Sequence, residues 1–228
     1  MFTKLVIIAA LGDDPERIHT TNSTLTTFGP DWDCIVLFYA NVIPPPFQRC
    51  RMSVYRERWG TLVRRVSKYA ESYSYVALLL DDLKHVSAVD PERLISVMNT
   101  YNGSVISPGV RNTRHMHYAH KHCLYNTDFI EIFYIIFSNR AWSCFNSMFD
   151  VYDVNESIVG WGFDRCFHAT CEMRMLYDNR VYTVHGRRLA NVYGVGRQIE
   201  QLKKHVFAQT GRRCFEARET KHGKCIDY

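Results

Sequence analysis

The stretch Tyr75-Val76-Ala77-Leu78-Leu79-Leu80-Asp81-Asp82-Leu83 decides how this chain is read. Its apolar run is strand-length and ends abruptly in two adjacent carboxylates, which reads as a buried strand carrying paired negative charge at its end. Oxygen-rich side chains there suit a hard divalent cation, Mg2+ or Mn2+. Such a cation would be placed to hold a diphosphate. Adjacent strand residues point to opposite faces, so both carboxylates serve one site only where the strand has ended.

Working outward, Lys4–Leu11 and Asp33–Tyr39 are two more apolar runs of strand length, the first ending at Gly12-Asp13-Asp14-Pro15. Between them, Glu16–Phe28 is read as a short helix. Pro44-Pro45-Pro46 forces an extended passage. From Tyr55 to Tyr69, Trp59, Leu62, Val63, Val66 and Tyr69 fall on one helical face, with Arg56, Arg58, Arg64, Arg65 and Lys68 filling the rest. Asp90-Pro91-Glu92 marks an N-cap with proline in the first turn of a helix running to Tyr101. Ser104–Ser107 reads as a strand stopped by Pro108-Gly109, and residues 110–126 as a long polar loop. Phe129–Phe137 reads as a strand and Asn139–Phe149 as a helix. Asp164–Met173 is a second helix, Arg180–Val184 a last strand, and Gly196–Ala208 a C-terminal helix.

Strands alternating with helices, the strands apolar on both faces, predict an α/β fold with a mainly parallel central sheet flanked by helices. Ligands of such open sheets sit at the carboxyl ends of strands. Leu11-Gly12-Asp13, Tyr39, Asp81-Asp82 and His185 all fall at predicted strand ends. The expected organisation is a single catalytic domain over residues 1–193, with a basic helix and tail over 194–228.

Composition narrows the classes. The length of 228 residues fits one large domain, and the apolar content of 46% provides a full core. No apolar run reaches the length of a membrane span, and Met-Phe-Thr-Lys shows no signal-peptide pattern, so the expectation is a soluble, cytoplasmic protein. The eight cysteines contain no CxxC pair and are expected to be free thiols of a reducing compartment. Net charge is +5, and residues 194–228 carry four Lys and four Arg against four acidic groups. A solvated basic helix accounts for that, and nucleic acid is not the expected partner.

Two further elements carry chemistry. In Gly160-Trp161-Gly162-Phe163-Asp164, the glycines permit close approach and Trp161 can face a ligand. Asp164 then lies at a helix start as a candidate general base, although an aspartate capping a helix behind a packed Trp has the same pattern. His185 ends a strand before Gly186-Arg187-Arg188, where an imidazole can complete a metal site and the arginines can neutralise phosphate. His115, His117, His120, His122 and Cys123 match no closed zinc pattern and read as a solvated loop.

These motifs, in this order, resemble an uncharacterised family once labelled "lysine-ketoglutarate reductase trans-splicing related", which has a glycosyltransferase A-type (GT-A) fold. Leu79-Leu80-Asp81-Asp82-Leu83 corresponds to that family's Trp-Asp-Glu-Asp-Leu-like strand end, and Ile106-Ser107-Pro108 to its Ile-Ser-Gln-Pro-like strand. Phe129-Ile130-Glu131-Ile132 with Phe137-Ser138-Asn139-Arg140-Ala141-Trp142, Gly160 to Asp164, and Val184-His185-Gly186 complete the series. The chain is also similar to the β-1,4-galactosyltransferases in its acidic strand end, its Gly-Trp-Gly loop with a following acid, and a later His. That resemblance implies Asp82 and His185 as metal ligands, with Asp81 on the metal or on ribose. It further implies Asp164 as the base and Glu131 near the acceptor with Trp161 and Gly162. The chain departs from the usual Asp-x-Asp, because Leu80 precedes Asp81-Asp82, and this weakens the ribose assignment most.

The resulting expectation is a metal-dependent, inverting glycosyltransferase. It would move a sugar from a nucleoside-diphosphate sugar, UDP favoured, to a hydroxyl of a glycan or glycoprotein, with Mn2+ or Mg2+ as cofactor. Leu11, Gly12, Tyr39, Asp81 and Arg58 would contact the nucleotide, with Arg64 the alternative to Arg58. The alternative is a catalytically inactive nucleotide-sugar or glycan-binding module. A nucleotidyltransferase ranks lower, because Leu11-Gly12-Asp13-Asp14 has a single Gly and no adjacent base.

Overall fold

A computed structural model describes residues 3–39, 49–55, 57–84, 88–113, 122–151, 160, 162–186, 195–215 and 223–226. The first half of the chain gives β1 (Lys4–Leu11), α1 (Pro15–Leu25), β2 (Trp32–Phe38), β3 (Arg51–Val54), α2 (Trp59–Ala70), β4 (Tyr75–Leu80), β5 (Leu83–Lys84) and α3 (Pro91–Thr100). The second half gives β6 (Val105–Arg111), β7 (Leu124–Thr127), β8 (Tyr134–Ser138), α4 (Asn139–Val151), α5 (Phe163–Cys171), β9 (Met175–His185), α6 (Val195–Thr210) and β10 (Gly223–Ile226). The readings placed on Pro44–Pro46, Arg56, His115, His117, His120, Trp161, Arg187 and Arg188 lie outside the described residues.

One ten-stranded sheet runs β10-β7-β9-β6-β8-β4-β1-β2-β3, with β5 attached to β9. β1 pairs in parallel with both β2 and β4, and β2 with β3. Alternate residues of β1 enter opposite layers, as the period of two requires. Leu5, Ile7 and Ala9 join Trp59, Leu62, Trp142, Phe145, Phe163 and Leu202 beneath α2, α4, α5 and α6. Val6, Ile8 and Leu11 join Leu25, Leu94, Ile95 and Met98 beneath α1 and α3. Both faces of the sheet are covered, so its central strands need continuous apolar runs. Each fully buried large aliphatic residue contributes about 1.5–3 kcal/mol.

The second half of the sheet is mixed. β8 lies antiparallel between β4 and β6, and β9 is parallel to β6 but antiparallel to β7. β6 does not stop at Pro108-Gly109 as expected but continues to Arg111. β8 pairs only with Val105 and Ile106, so the N–H missing from Pro108 is not needed on that side. The register with β9 jumps from Pro108–Asp178 to Gly109–Tyr182. A Cβ on Gly109 would lie 2.5 Å from Asn179 Oδ1 and 3.1 Å from Val181 O, so the bulge requires glycine there. The expected strand over Phe129–Phe137 begins only at Tyr134, because Thr127 Oγ1 accepts from the Phe129 N–H and Phe133 N–H donates to Glu131 O, turning the chain. The polar segment 110–126 carries the end of β6 and the start of β7, whose Leu124 and Tyr125 are buried.

The free-thiol expectation is overturned. All eight cysteines pair, as Cys34–Cys50, Cys123–Cys225, Cys144–Cys171 and Cys166–Cys214. The bridges span 16 to 102 residues and join separate elements, so short-range spacing carried no trace of them. Two of them hold α5, one to α4 and one to the segment after α6. At the C-terminus, Leu202 and Val206 of α6 enter the larger core cluster, and β10 adds to the sheet at β7.

Candidate active site

The winding of the sheet reverses beside β1. The β1-α1-β2 connection runs over one face, and the β3-α2-β4 connection over the other. At such a switch point the loops after adjacent strands diverge and leave a crevice at the carboxyl ends. The loops after β1 and β4 border it. Gly12 follows β1 so tightly against Tyr39 that a Cβ would lie 2.7 Å from the Tyr39 hydroxyl. The Tyr39 N–H donates to Leu11 O (3.1 Å), yet its ring is 45% exposed, an apolar face offered at a strand end. Leu11 is fully buried, so it contributes support and backbone rather than a side chain facing a ligand. Arg58 is exposed at the N-cap of α2, immediately after β3, on the same edge of the sheet.

Asp81 and Asp82 lie in the turn just beyond β4 and diverge. Asp81 Oδ1 accepts from Arg17 Nη1 at 2.9 Å, and both side chains are largely buried. Burial lifts the Asp81 carboxyl to about 6; the Arg17 guanidinium opposes this and the neighbouring Asp82 adds to it. Burial also raises Tyr39, with the Asp81 charge contributing. Asp82 turns the other way, its Oδ2 lying 2.9 Å from His185 Nε2. The short β5 makes that meeting possible. Leu83 pairs with His185 across it, and the Gly186 N–H donates to Asp82 O at 2.6 Å. A Cβ on Gly186 would lie 2.7 Å from that carbonyl oxygen. The Phe133 ring packs 4.4 Å from the His185 ring, and Phe133 O accepts from the Leu80 N–H.

Asp81 Oδ2 and Asp82 Oδ1 are buried and accept no hydrogen bond among the described residues. A buried carboxylate oxygen without a donor is costly, and a cation held at Asp82 or at Asp81 would satisfy the oxygen it meets. The donor set therefore fits a hard divalent ion. Among the described residues, no group of three His, Cys, Asp or Glu side chains is arranged to hold a metal. Mg2+-type sites commonly take only one or two protein carboxylates and complete their shell with substrate phosphates and water.

Asp164 stands at the start of α5, behind a Gly162 N-cap with φ of 101°. Its Oδ1 accepts from the Gly162 N–H (2.9 Å) and the Arg165 N–H (2.8 Å). Burial raises this carboxyl to about 6, against those same N–H groups. That places it where a carboxylate can exchange protons near neutrality. Gly160 packs on Ile132, since a Cβ there would lie 3.1 Å from Ile132 Cδ1. Ile132 sits between the buried Glu131 and Phe133, so segment 129–133 touches both the Asp164 loop and His185. Thus the structure joins Asp82 to His185 and sets Asp81, Gly12 and Tyr39 at one crevice. The loop before Asp164 meets segment 129–133 where Gly160 packs on Ile132, and Arg64 is turned away to Phe149 O and Asp150.

Sequence reasoning missed Arg17 and Phe133. Arg17 had a usable signal. Asp14-Pro15 is a capping pair, and the Asp14 side chain does accept from the Arg17 N–H, which puts a basic residue in the first turn after β1. The expectation that no base lies near β1 is corrected accordingly.

No protein-family model and no curated protein matches the chain. Solved structures do. A structure of GalNAc-T7 with UDP, GalNAc and Mn2+ matches with a TM-score of 0.60 at 11% identity, over 84% of this chain and 44% of that one. A mannosyltransferase from Pyrobaculum calidifontis in complex with GDP-Man and Mn2+ matches with a TM-score of 0.58 at 11% identity, over 96% of this chain and 66% of that one. The fold is that of the GT-A glycosyltransferases. The chain spans less than half the length of the first structure and about two thirds of the second, so the likeness concerns the GT-A core.

Proposed function

We propose that this chain is a metal-dependent glycosyltransferase that takes a nucleoside-diphosphate sugar, with UDP the favoured base carrier, and transfers the sugar with inversion to a hydroxyl of a glycan or glycoprotein. The observation that carries this reading is the pair of buried carboxylate oxygens, Asp81 Oδ2 and Asp82 Oδ1, that accept no hydrogen bond among the described residues at the switch point of a GT-A fold. The motif resemblance to the trans-splicing-related family and to the β-1,4-galactosyltransferases supports the same assignment.

In this reading Asp82 and His185 would hold Mn2+ or Mg2+, which would supply positive charge against that developing on the departing diphosphate. Tyr39 and Gly12 receive the nucleoside, with Arg58 at the rim. Arg17 fixes Asp81 and brings a positive charge to the crevice. Asp164, its Oδ1 anchored by two backbone N–H groups, takes the acceptor hydroxyl proton on its other oxygen. The freed oxygen forms a bond to the anomeric carbon, while the bond from that carbon to the β-phosphate oxygen breaks and its electron pair leaves with the diphosphate. Trp161, Gly162 and Glu131 are assigned to the acceptor side.

We also place the folded chain in an oxidising compartment, against the cytoplasmic expectation, because four disulfides persist only there in most cells. Among the described residues no helix is long and apolar enough to cross a membrane.

The test is Asp164→Asn. Transfer, or hydrolysis of the donor, is expected to fall about 10²–10⁴-fold while nucleotide affinity is unchanged. Equal loss of both removes the base assignment. The alternative, an inactive nucleotide-sugar or glycan-binding module, draws on the engagement of Asp81 by Arg17, and any donor turnover by the wild type excludes it.

A further inference from the structure

A cavity lies between α5, α6 and the segment after α6. Its volume is about 600 Å³, within the roughly 300–1,000 Å³ range of small-molecule sites. Four cationic side chains line it, Arg165, Lys203, Lys204 and Arg213, against the acids Asp128 and Glu200. Both acids are already engaged. Glu200 Oε1 accepts from Lys203 Nζ at 2.9 Å, and Asp128 Oδ1 lies 3.4 Å from His168 Nε2. The Glu200 carboxylate also lies in the field of Lys204 and Arg165, yet among the described residues the four Lys and Arg side chains outnumber the two acids, so the lining carries an excess of positive charge.

Its floor is rigid and apolar. Phe215 is buried and stacks on Phe129 with centroids 4.3 Å apart, and the neighbouring Cys214 is bridged to Cys166 of α5. Phe207 of α6 also lines the cavity and is 50% exposed, an aromatic face beside the cations. Cations converging on a concavity select an oxyanion, and guanidinium groups favour sulfate or phosphate. An exposed aromatic face next to them adds an apolar surface on which a sugar ring can lie, and the partly satisfied acids can accept from its hydroxyls.

We propose that this cavity is a second binding site, for a saccharide carrying sulfate or phosphate. Its lining includes none of Asp81, Asp82, His185, Gly12 and Tyr39, and the proposal does not depend on the transferase reading.

The experiment is calorimetric titration of the full chain with a sulfated disaccharide, its unsulfated parent, a sugar phosphate and free inorganic sulfate. Wild type is compared with Lys204→Ala/Arg213→Ala, with Phe207→Ala, and with Arg212→Ala. Lys204 and Arg213 are exposed, so the fold should tolerate their loss, and Arg212 is a control because it pairs with Glu172 outside the cavity. The charged saccharide is expected to bind at least about tenfold more tightly than its neutral parent, to lose about tenfold or more in the double variant, and to weaken in Phe207→Ala. The Arg212 variant is expected to match wild type. Equal binding of the neutral parent, or unchanged affinity in the double variant, overturns the proposal. Binding of free sulfate as tight as that of the saccharide reduces the site to an ion site and overturns the saccharide assignment. Stabilisation by UDP with Mn2+, measured on the same double variant, is expected to be unchanged, which separates failure here from failure of the donor site.

Discussion

The two halves of the sheet are built on different principles. β3, β2, β1 and β4 form a parallel block in which β1, β2 and β4 are apolar on both faces, β3 is an exposed edge strand, and α1 and α2 cover opposite faces, with one disulfide, Cys34–Cys50, near its edge. From β6 onward the strands mix directions, β9 is bulged, and the other three disulfides tie α4, α5, β7 and the C-terminal segment together. The first half is held by burial and winding, the second by burial reinforced with crosslinks. The candidate site draws on both, with Asp81, Asp82, Gly12 and Tyr39 from the first, and His185 and Asp164 from the second. The first half therefore fixes where a diphosphate would lie, and the crosslinked half holds the groups that must be aimed at it.

Breaking the crosslinks is the strongest way to test that contrast. In the chain-entropy account, loops of 16 and 102 residues correspond to about 3 and about 4.7 kcal/mol of stabilisation. Mild reduction followed by hydrogen exchange is expected to expose α5, β7 and β10 before β1, β2 and β4. Simultaneous loss across the sheet would show that the halves are not separately supported. The next effect is confined to the parallel block. Arg17→Ala leaves Asp81 buried without its partner and is expected to cost about 3 kcal/mol in denaturant unfolding. A cost below about 1 kcal/mol would mean the pair is solvent-screened.

Acidity probes both halves at once. Asp81 and Asp164 sit near 6 in the folded chain, above the ordinary carboxylate value of 3.8. The folded state therefore binds protons more tightly than the unfolded state. Their contribution to stability is full below about pH 4 and is lost as pH rises through about 6. In the proposed mechanism activity follows the opposite sense, because the ionised Asp164 would be the base. Below pH 6, kcat/KM is expected to fall about tenfold per pH unit, and a flat profile between pH 5 and 7 would contradict the assignment. The smallest expected effect is that of Gly162→Ala. Its φ of 101° suits only glycine, so the variant is expected to lose about 1–2 kcal/mol and to reduce transfer by displacing the N–H that Asp164 accepts. Unchanged activity would show that the cap does not aim the base.

Legibility in the sequence follows the same division. The runs at Lys4–Leu11 and Tyr75–Leu80 are apolar on both faces, and such runs mean buried strands with little ambiguity, so the parallel block and its acidic strand end could be read directly. Asp90-Pro91 capped its helix as expected. The crosslinked half resisted because its determinants are not local. Pro108 sits in a strand only because β8 is too short to need its N–H, and Phe129–Phe133 turns because Thr127 accepts from it. No spacing rule foretells that Cys123 meets Cys225. At the site, the meeting of His185 with Asp82 depends on the two-residue β5, too short to carry a sequence signature. Arg17 points at Asp81 only after α1 folds back over β1.

The most direct test of the central claim is a thermal-shift titration with UDP, GDP, CDP and dTDP, each with and without Mn2+, on wild type and Asp82→Ala. The account predicts Mn2+-dependent stabilisation of the wild type by one of these nucleotides, UDP first, at nucleotide concentrations well above Kd by about 3 kcal/mol, and its loss in Asp82→Ala. Stabilisation by no nucleotide, or stabilisation that survives Asp82→Ala, would contradict it.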